Sequence, residues 1–238
     1  MKLKNSEYVE KLLDLYTYGD EVGANYESSP MFTDKEPRPR KPGGTDESDM
    51  IRCWREYVSR DYPHLSPLSW IVYYTQHYEP GGYGKAMPDT FQLVKYLLMR
   101  KPEELSYQKI VEISKDRNSM GNLCLGMVLP VLHYALTVDE DPYQMVEEYV
   151  MLTHAHPIAI EACRRLTKLF LEGPLTLEQE FPTKGFGGHA DAMSTLKTAW
   201  WCAQAATKEL AIKECIWIGG DTDSTLALTL QLWGWLNE

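Results

Sequence analysis

Apolar side chains recur at three- and four-residue intervals along most of this 238-residue chain, and seldom on every second residue. Only the helical period gathers such positions on one face, so a chain patterned this way buries its apolar surface by packing helices on helices. Tyr8, Leu12, Leu15 and Tyr16 predict an opening amphipathic helix running toward Gly19. Further helices are expected over residues 50–60, around Phe91, Val94, Leu97 and Leu98, and along Met193, Leu196, Trp200 and Ala203. Another follows Pro157, a residue suited to a first turn, along the stripe Ile158, Ala162, Leu166, Leu169 and Phe170. A last helix over 225–236 is apolar on most faces and is expected to be buried. Residues 214–218 are the one short strand candidate, and the Pro- and Gly-rich stretches at 25–44 and 77–88 read as loops. One mainly α domain over residues 1–238 is expected, with its chemistry on the connections between helices.

Charge and cysteine usage narrow the class of partner. The formal net charge of −10 gives no general attraction for a phosphate backbone, so broad nucleic-acid binding is not expected. A local phosphate pocket built from backbone amides stays compatible with it. The five cysteines are scattered and include no C-x-x-C pair, which argues against a disulfide framework and against zinc. Reduced, buried thiols in a soluble cytoplasmic protein are the expectation. The first twenty residues mix acidic groups into short apolar runs, unlike a signal peptide, and no stretch suits a membrane span.

Two acidic turns lie near opposite ends of the chain. Gly43-Gly44-Thr45-Asp46-Glu47-Ser48-Asp49 and Gly219-Gly220-Asp221-Thr222-Asp223-Ser224 each read as a glycine-introduced turn feeding a helix. Carboxylates and hydroxyls are hard oxygen ligands, suited to Mg²⁺ or Mn²⁺. So many carboxylates in one place repel unless cations neutralise them, and a two-ion site results if folding joins the turns. Asp and Ser ahead of a helix are also ordinary N-caps, the commoner role for either turn taken singly. Spacing alone leaves the two readings open.

Other segments carry candidate groups. Gly19-Asp20-Glu21-Val22-Gly23-Ala24-Asn25-Tyr26-Glu27 ends on a carboxylate at the start of the long loop, either a mobile gate or a solvated acid after a helix end. Arg117–Asn122 is a short polar turn ahead of an apolar stretch, able to offer amides and a hydroxyl to a phosphate or simply to start a helix. His154 and His156 stand at a helix entry, where capping or core roles are commoner than catalysis. Gly185, Phe186, Gly187 and His189 lie in a glycine-rich loop that either borders a substrate or is an exposed connection.

In order, these segments resemble the ADP-ribosylglycohydrolase family, whose motifs read G-D-x-x-G-x-x-x-E, T-D-D-T, S-x-G-N-G, T-H and G-G-D-x-D-[ST]. The chain has GDEVGANYE at 19–27, TDES at 45–48, SMGN at 119–122, LTHAHP at 152–157 and GGDTDS at 219–224. The resemblance implies a compact, orthogonal, all-α multi-helix bundle. It implies that Thr45, Asp46, Glu47, Asp221, Asp223 and Ser224 surround two Mg²⁺ (or Mn²⁺) ions that grip the ribose hydroxyls of ADP-ribose. Glu27 would sit on the loop over the site; Ser119, Gly121 and Asn122 would touch diphosphate or ribose. Gly185, Phe186, Gly187, His189 and His154 would border the substrate.

The implied activity is hydrolysis of the glycosidic bond between ADP-ribose and an acceptor, by a monomer whose partner is the ADP-ribosylated substrate. Such a reaction develops oxocarbenium character and needs a water and a proton donor. Glu27, Asp46 and Glu47 are the carboxylate candidates, with acid and base unassigned among them. A non-catalytic ADP-ribose-binding or structural member of the same fold is the alternative. The departures are Glu47 and Ser48 where the family has Asp and Thr, Leu123 for its glycine, and Met127 for its arginine.

Overall fold

The computed structural model describes residues 2–36, 38–60, 65–78, 86–173 and 190–237. Among them run eleven α-helices and no strand: α1 (Ser6–Gly23), α2 (Asp46–Val58), α3 (Pro67–His77), α4 (Ala86–Arg100), α5 (Tyr107–Arg117), α6 (Val128–Val138), α7 (Pro142–Met151), α8 (Pro157–Glu172), α9 (Ala192–Ala203), α10 (Lys208–Ile218) and α11 (Thr222–Asn237). The extended pairings among these residues are two isolated bridges, Ser29 with Gly220 and Gly121 with Asp191. Among the described residues, no helix is long and apolar enough to cross a membrane.

Most helices begin where a side chain can satisfy an orphaned amide. Asn5, Ser106, Asp191 and Thr207 cap α1, α5, α9 and α10. Asp141 and the His156 ring do the same for α7 and α8, each followed by a proline at the first helical position. Ser66 and Ser69 form a reciprocal box at the start of α3. The start of α2 is different. Thr45 holds the N-cap position, yet its side chain makes no cap bond to its own helix.

Several boundaries depart from the periodicity, among them the last helix, which starts at Thr222 rather than at 225, and α4, which starts at Ala86 inside the expected loop. The second helix starts at Asp46 rather than at 50, because Asp46, Glu47 and Asp49 suit the positive end of a helix, a stabilisation that apolar spacing does not register. Residues 214–218 are not a strand but the end of α10, whose buried residues Ala211, Cys215 and Ile218 fall at helical spacing. The first helix continues past Gly19 to Gly23, since both glycines are contact points rather than a stop. Ile158 is exposed at the head of α8, so that helix's buried stripe begins at Ala159.

The last helix is the axis of the packing, with every residue from 222 to 232 buried. The first helix lies antiparallel along it. A Cβ on Gly23 would sit 2.6 Å from Asp223 Cα, one on Gly19 2.5 Å from the Leu226 carbonyl, and one on Gly234 2.3 Å from Leu15 Cδ1. The two backbones therefore touch where α1 ends and α11 begins. On the other side of α2, an aromatic cluster of Trp54, Tyr57, Trp70 and Tyr74 packs with ring centroids 5.0–6.0 Å apart, joining α2 to α3. Gly19→Ala brings a methyl group against backbone that cannot rotate away, so it is expected to cost about 1–3 kcal/mol despite alanine's helix propensity. A lower urea midpoint checks this; an unchanged midpoint contradicts the close contact.

Candidate metal centre

Asp20 lies on the buried face of α1, four residues beyond Tyr16 and eight beyond Leu12, and is 0% exposed. A carboxylate this deep is costly unless its lone pairs are filled. Asp20 Oδ2 accepts the Thr45 N–H at 2.7 Å, the Ser48 N–H at 3.0 Å and the Ser48 hydroxyl; Oδ1 faces the Thr45 hydroxyl at 2.7 Å. Asp20 thus caps α2 from outside, in place of Thr45. The turn closes this tightly because Gly44 has φ +64°, and a Cβ there would lie 2.1 Å from Asp20 Oδ2.

The late turn is held by the long loop. Gly219 and Gly220 adopt φ of +74° and +81°. The Ser28 N–H donates to the Gly220 carbonyl at 2.7 Å, and the Phe32 N–H to that of Ile218 at 3.0 Å. The start of α11 then delivers Asp223 and Ser224 to the early turn. The Ser224 hydroxyl donates to Glu47 Oε1, while the Thr45 hydroxyl lies 2.7 Å from Glu47 Oε2 and 3.4 Å from Asp223 Oδ2. Asp20, Glu47 and Asp223 each present a carboxylate oxygen, all within 4.8 Å of one another. The Thr45 hydroxyl has one proton for three facing carboxylates. The remaining lone pairs confront each other, and only added protons or a cation relieve them. An all-oxygen set of this kind fits a hard divalent ion such as Mg²⁺ or Mn²⁺.

Burial and mutual repulsion govern the acidity here. Burial pushes the Glu47 carboxyl well above the usual range, reinforced by Asp46 and Asp223. Burial also raises Asp20, against the pull of the Ser48 and Thr45 donors. Asp46 is pushed up to about 6, chiefly by burial. Asp221 is pushed up to about 8 by burial and then by Asp223, opposed in part by the Asn122 amide. Glu27, exposed at the rim, is raised first by the negative charge of Asp223. Burial is the larger cause in Asp20, Asp46, Glu47 and Asp221, and a neighbouring carboxylate in Glu27.

The fold therefore brings Thr45, Glu47, Asp223 and Ser224 into contact, sets Asp46 and Asp221 beside them, and leaves Glu27 on the loop outside. Its neighbours Ser28 and Ser29 are hydrogen-bonded to Gly220. The Ser119 hydroxyl accepts the Gly121 N–H at 3.4 Å. His154 is buried, with Nδ1 2.8 Å from the Thr153 hydroxyl and its ring facing the missing side chain of Gly121. Burial lowers its imidazole to about 4, so it stays neutral at pH 7. Gly185, Phe186, Gly187 and His189 lie outside the described residues. Leu123 and Met127 are buried beside a small cavity lined by Met50, Trp70, Tyr149 and His154. Asn122 donates to Asp221 at 2.8 Å and to Thr195 at 2.9 Å. Sequence reasoning assigned no role to Asp20 or Thr195; the available signal for Asp20 was a charged residue on an apolar helical stripe.

No protein-family model matches this chain, and no curated protein sequence matches it significantly. Among solved structures, one described as an ADP-ribosylglycohydrolase-related protein complex is similar over 98% of this chain and 88% of its own, with a TM-score of 0.68 and 20% identity. The chain shares that protein's all-helical fold.

The raised carboxyls make a signed prediction for metal-free protein. A carboxyl whose folded pKa is raised stabilises fully below its unfolded value near 4 and loses that contribution as pH climbs through the folded value. For Asp221 that loss runs up through about 8. The lowered His154 acts oppositely, but only below its unfolded value near 6.5. The melting temperature of chelator-treated protein is thus expected to fall as pH rises from about 6.5 to 9, and to fall less in Asp221→Asn. Equal slopes in the two proteins would contradict the assignment.

Proposed function

We propose that this chain is a metal-dependent hydrolase that cleaves the glycosidic bond between ADP-ribose and an acceptor. The observation that carries the reading is the convergence of Asp20, Glu47 and Asp223 within 4.8 Å, joined by the Thr45 hydroxyl. The shared fold with an ADP-ribosylglycohydrolase-related protein supports it.

Thr45, Asp46, Glu47, Asp221, Asp223 and Ser224 would hold two Mg²⁺ or Mn²⁺ ions. When bound, the ions supply chelation of a ribose cis-diol and acidify a water. The protein's own groups do the rest. Asp46, raised to about 6 by burial, sits where a proton can be held or released near neutral pH, and burial raises Glu47 beside it. Glu27 at the rim is raised by the negative charge of Asp223 and then by burial, and its place on the loop beside the cluster suits a group that exchanges a proton with the departing acceptor. Developing positive charge at the ribose carbon would be stabilised by the surrounding negative field. The Ser119–Gly121 turn lies on the same side as Asn122 and is the candidate contact for diphosphate.

Purified protein with Mg²⁺ or Mn²⁺ is expected to release ADP-ribose from at least one member of a panel of ADP-ribosylated proteins, nucleic acids and small molecules. Asp223→Ala should lower that rate by at least about 100-fold, more than loss of an outer-shell partner costs, and chelation should abolish it. Tight ADP-ribose binding with no turnover anywhere on the panel would overturn the reading in favour of a non-catalytic binder.

A further inference from the structure

Asn122 is held from behind. Its segment is pinned to the head of α9, where the Ala192 N–H donates to the Met120 carbonyl at 2.9 Å and Gly121 pairs with Asp191. From that footing the side-chain nitrogen, on a residue only 8% exposed, donates to Asp221 Oδ2 at 2.8 Å and to Thr195 Oγ1 at 2.9 Å. A primary amide nitrogen carries two hydrogens. Both are spent inside the protein, and neither remains for a diphosphate or a ribose. For the ionised, cation-binding form of Asp221 the orientation is also forced, because the amide oxygen turned the other way would oppose a carboxylate.

We infer that Asn122 is a positioning residue: anchored by Thr195 on α9, it fixes the Asp221 carboxylate at the mouth of α11 for cation binding, and its amide nitrogen is not a substrate contact. Asp223 is a neighbouring like charge, so an Asp221 carboxylate without this donor would swing away from the cluster. The amide holds one oxygen in place and leaves the other unengaged by Asn122. Outer-shell donors of this kind set the direction and basicity of a ligating group. The inference rests on the metal-dependent reading of the site.

Calorimetric titration of the full chain with MnCl₂ tests it, alongside circular dichroism and thermal melting. Asn122→Ala is expected to weaken Mn²⁺ binding by about 10–100-fold while the helical signal persists. Thr195→Val keeps the amide on Asp221 but removes its anchor, and is expected to lose affinity in the same direction by less. If Asn122→Ala binds Mn²⁺ as the wild type does and only raises KM for an ADP-ribosylated substrate, the amide is a substrate contact and the inference is overturned. Should Asn122→Ala fail to fold, Thr195→Val decides, and unchanged Mn²⁺ affinity there overturns it equally. Wild-type protein that takes up no Mn²⁺ overturns both this inference and the reading beneath it, and so is distinct from failure in the variants alone.

Discussion

One buried carboxylate organises this molecule. Asp20 stands on the core face of α1, fully enclosed, and four donors from the turn at 43–48 converge on it. Left without those donors it would be among the most costly groups in the fold. With them, the first helix caps the second and sets the direction in which Thr45 and Glu47 point. The glycines flanking Asp20 do the complementary work. At Gly19 and Gly23 the backbone of α1 rests on that of α11, which places the Asp221–Ser224 turn against the one Asp20 has gathered. Repulsion among the assembled carboxylates is the consequence, which added protons or a cation relieve.

The helical architecture was legible because burial is periodic. The apolar faces of α8, α9 and α11 announce themselves in residues such as Leu166, Leu196 and Leu228, all buried. The misread elements are those whose stability comes from something other than that period. The start of α2 rests on carboxylates at a helix N-terminus and on a cap supplied from α1. The end of α10 is short and mixed in polarity, and its strand-like reading gave way to tertiary packing of Ala211, Cys215 and Ile218.

The site was legible in composition but not in connection. Two glycine-led acidic turns stand out in the sequence, yet Thr45 and Asp223 are 178 residues apart, and tertiary contacts, the α1–α11 packing foremost, make them neighbours. Local spacing could not separate capping from ligation; the geometry removes the cap at Thr45, whose hydroxyl faces carboxylates rather than an amide of its own helix. The longer reach of Glu47 also acquires a meaning. One of its oxygens meets Ser224 across the cleft while the other stays with Thr45. Met127, standing where the resembling family has arginine, is part of an apolar wall with Met50 and Trp70 and offers no charge to a phosphate.

These two turns are proposed to form one cage for hard divalent cations. Anomalous diffraction from crystals grown with saturating MnCl₂, recorded above the manganese absorption edge, tests it most directly. Peaks among Thr45, Glu47, Asp221 and Asp223 are the predicted result. A map with no peak in that cluster, from crystals in which the side chains are well ordered, would contradict the claim.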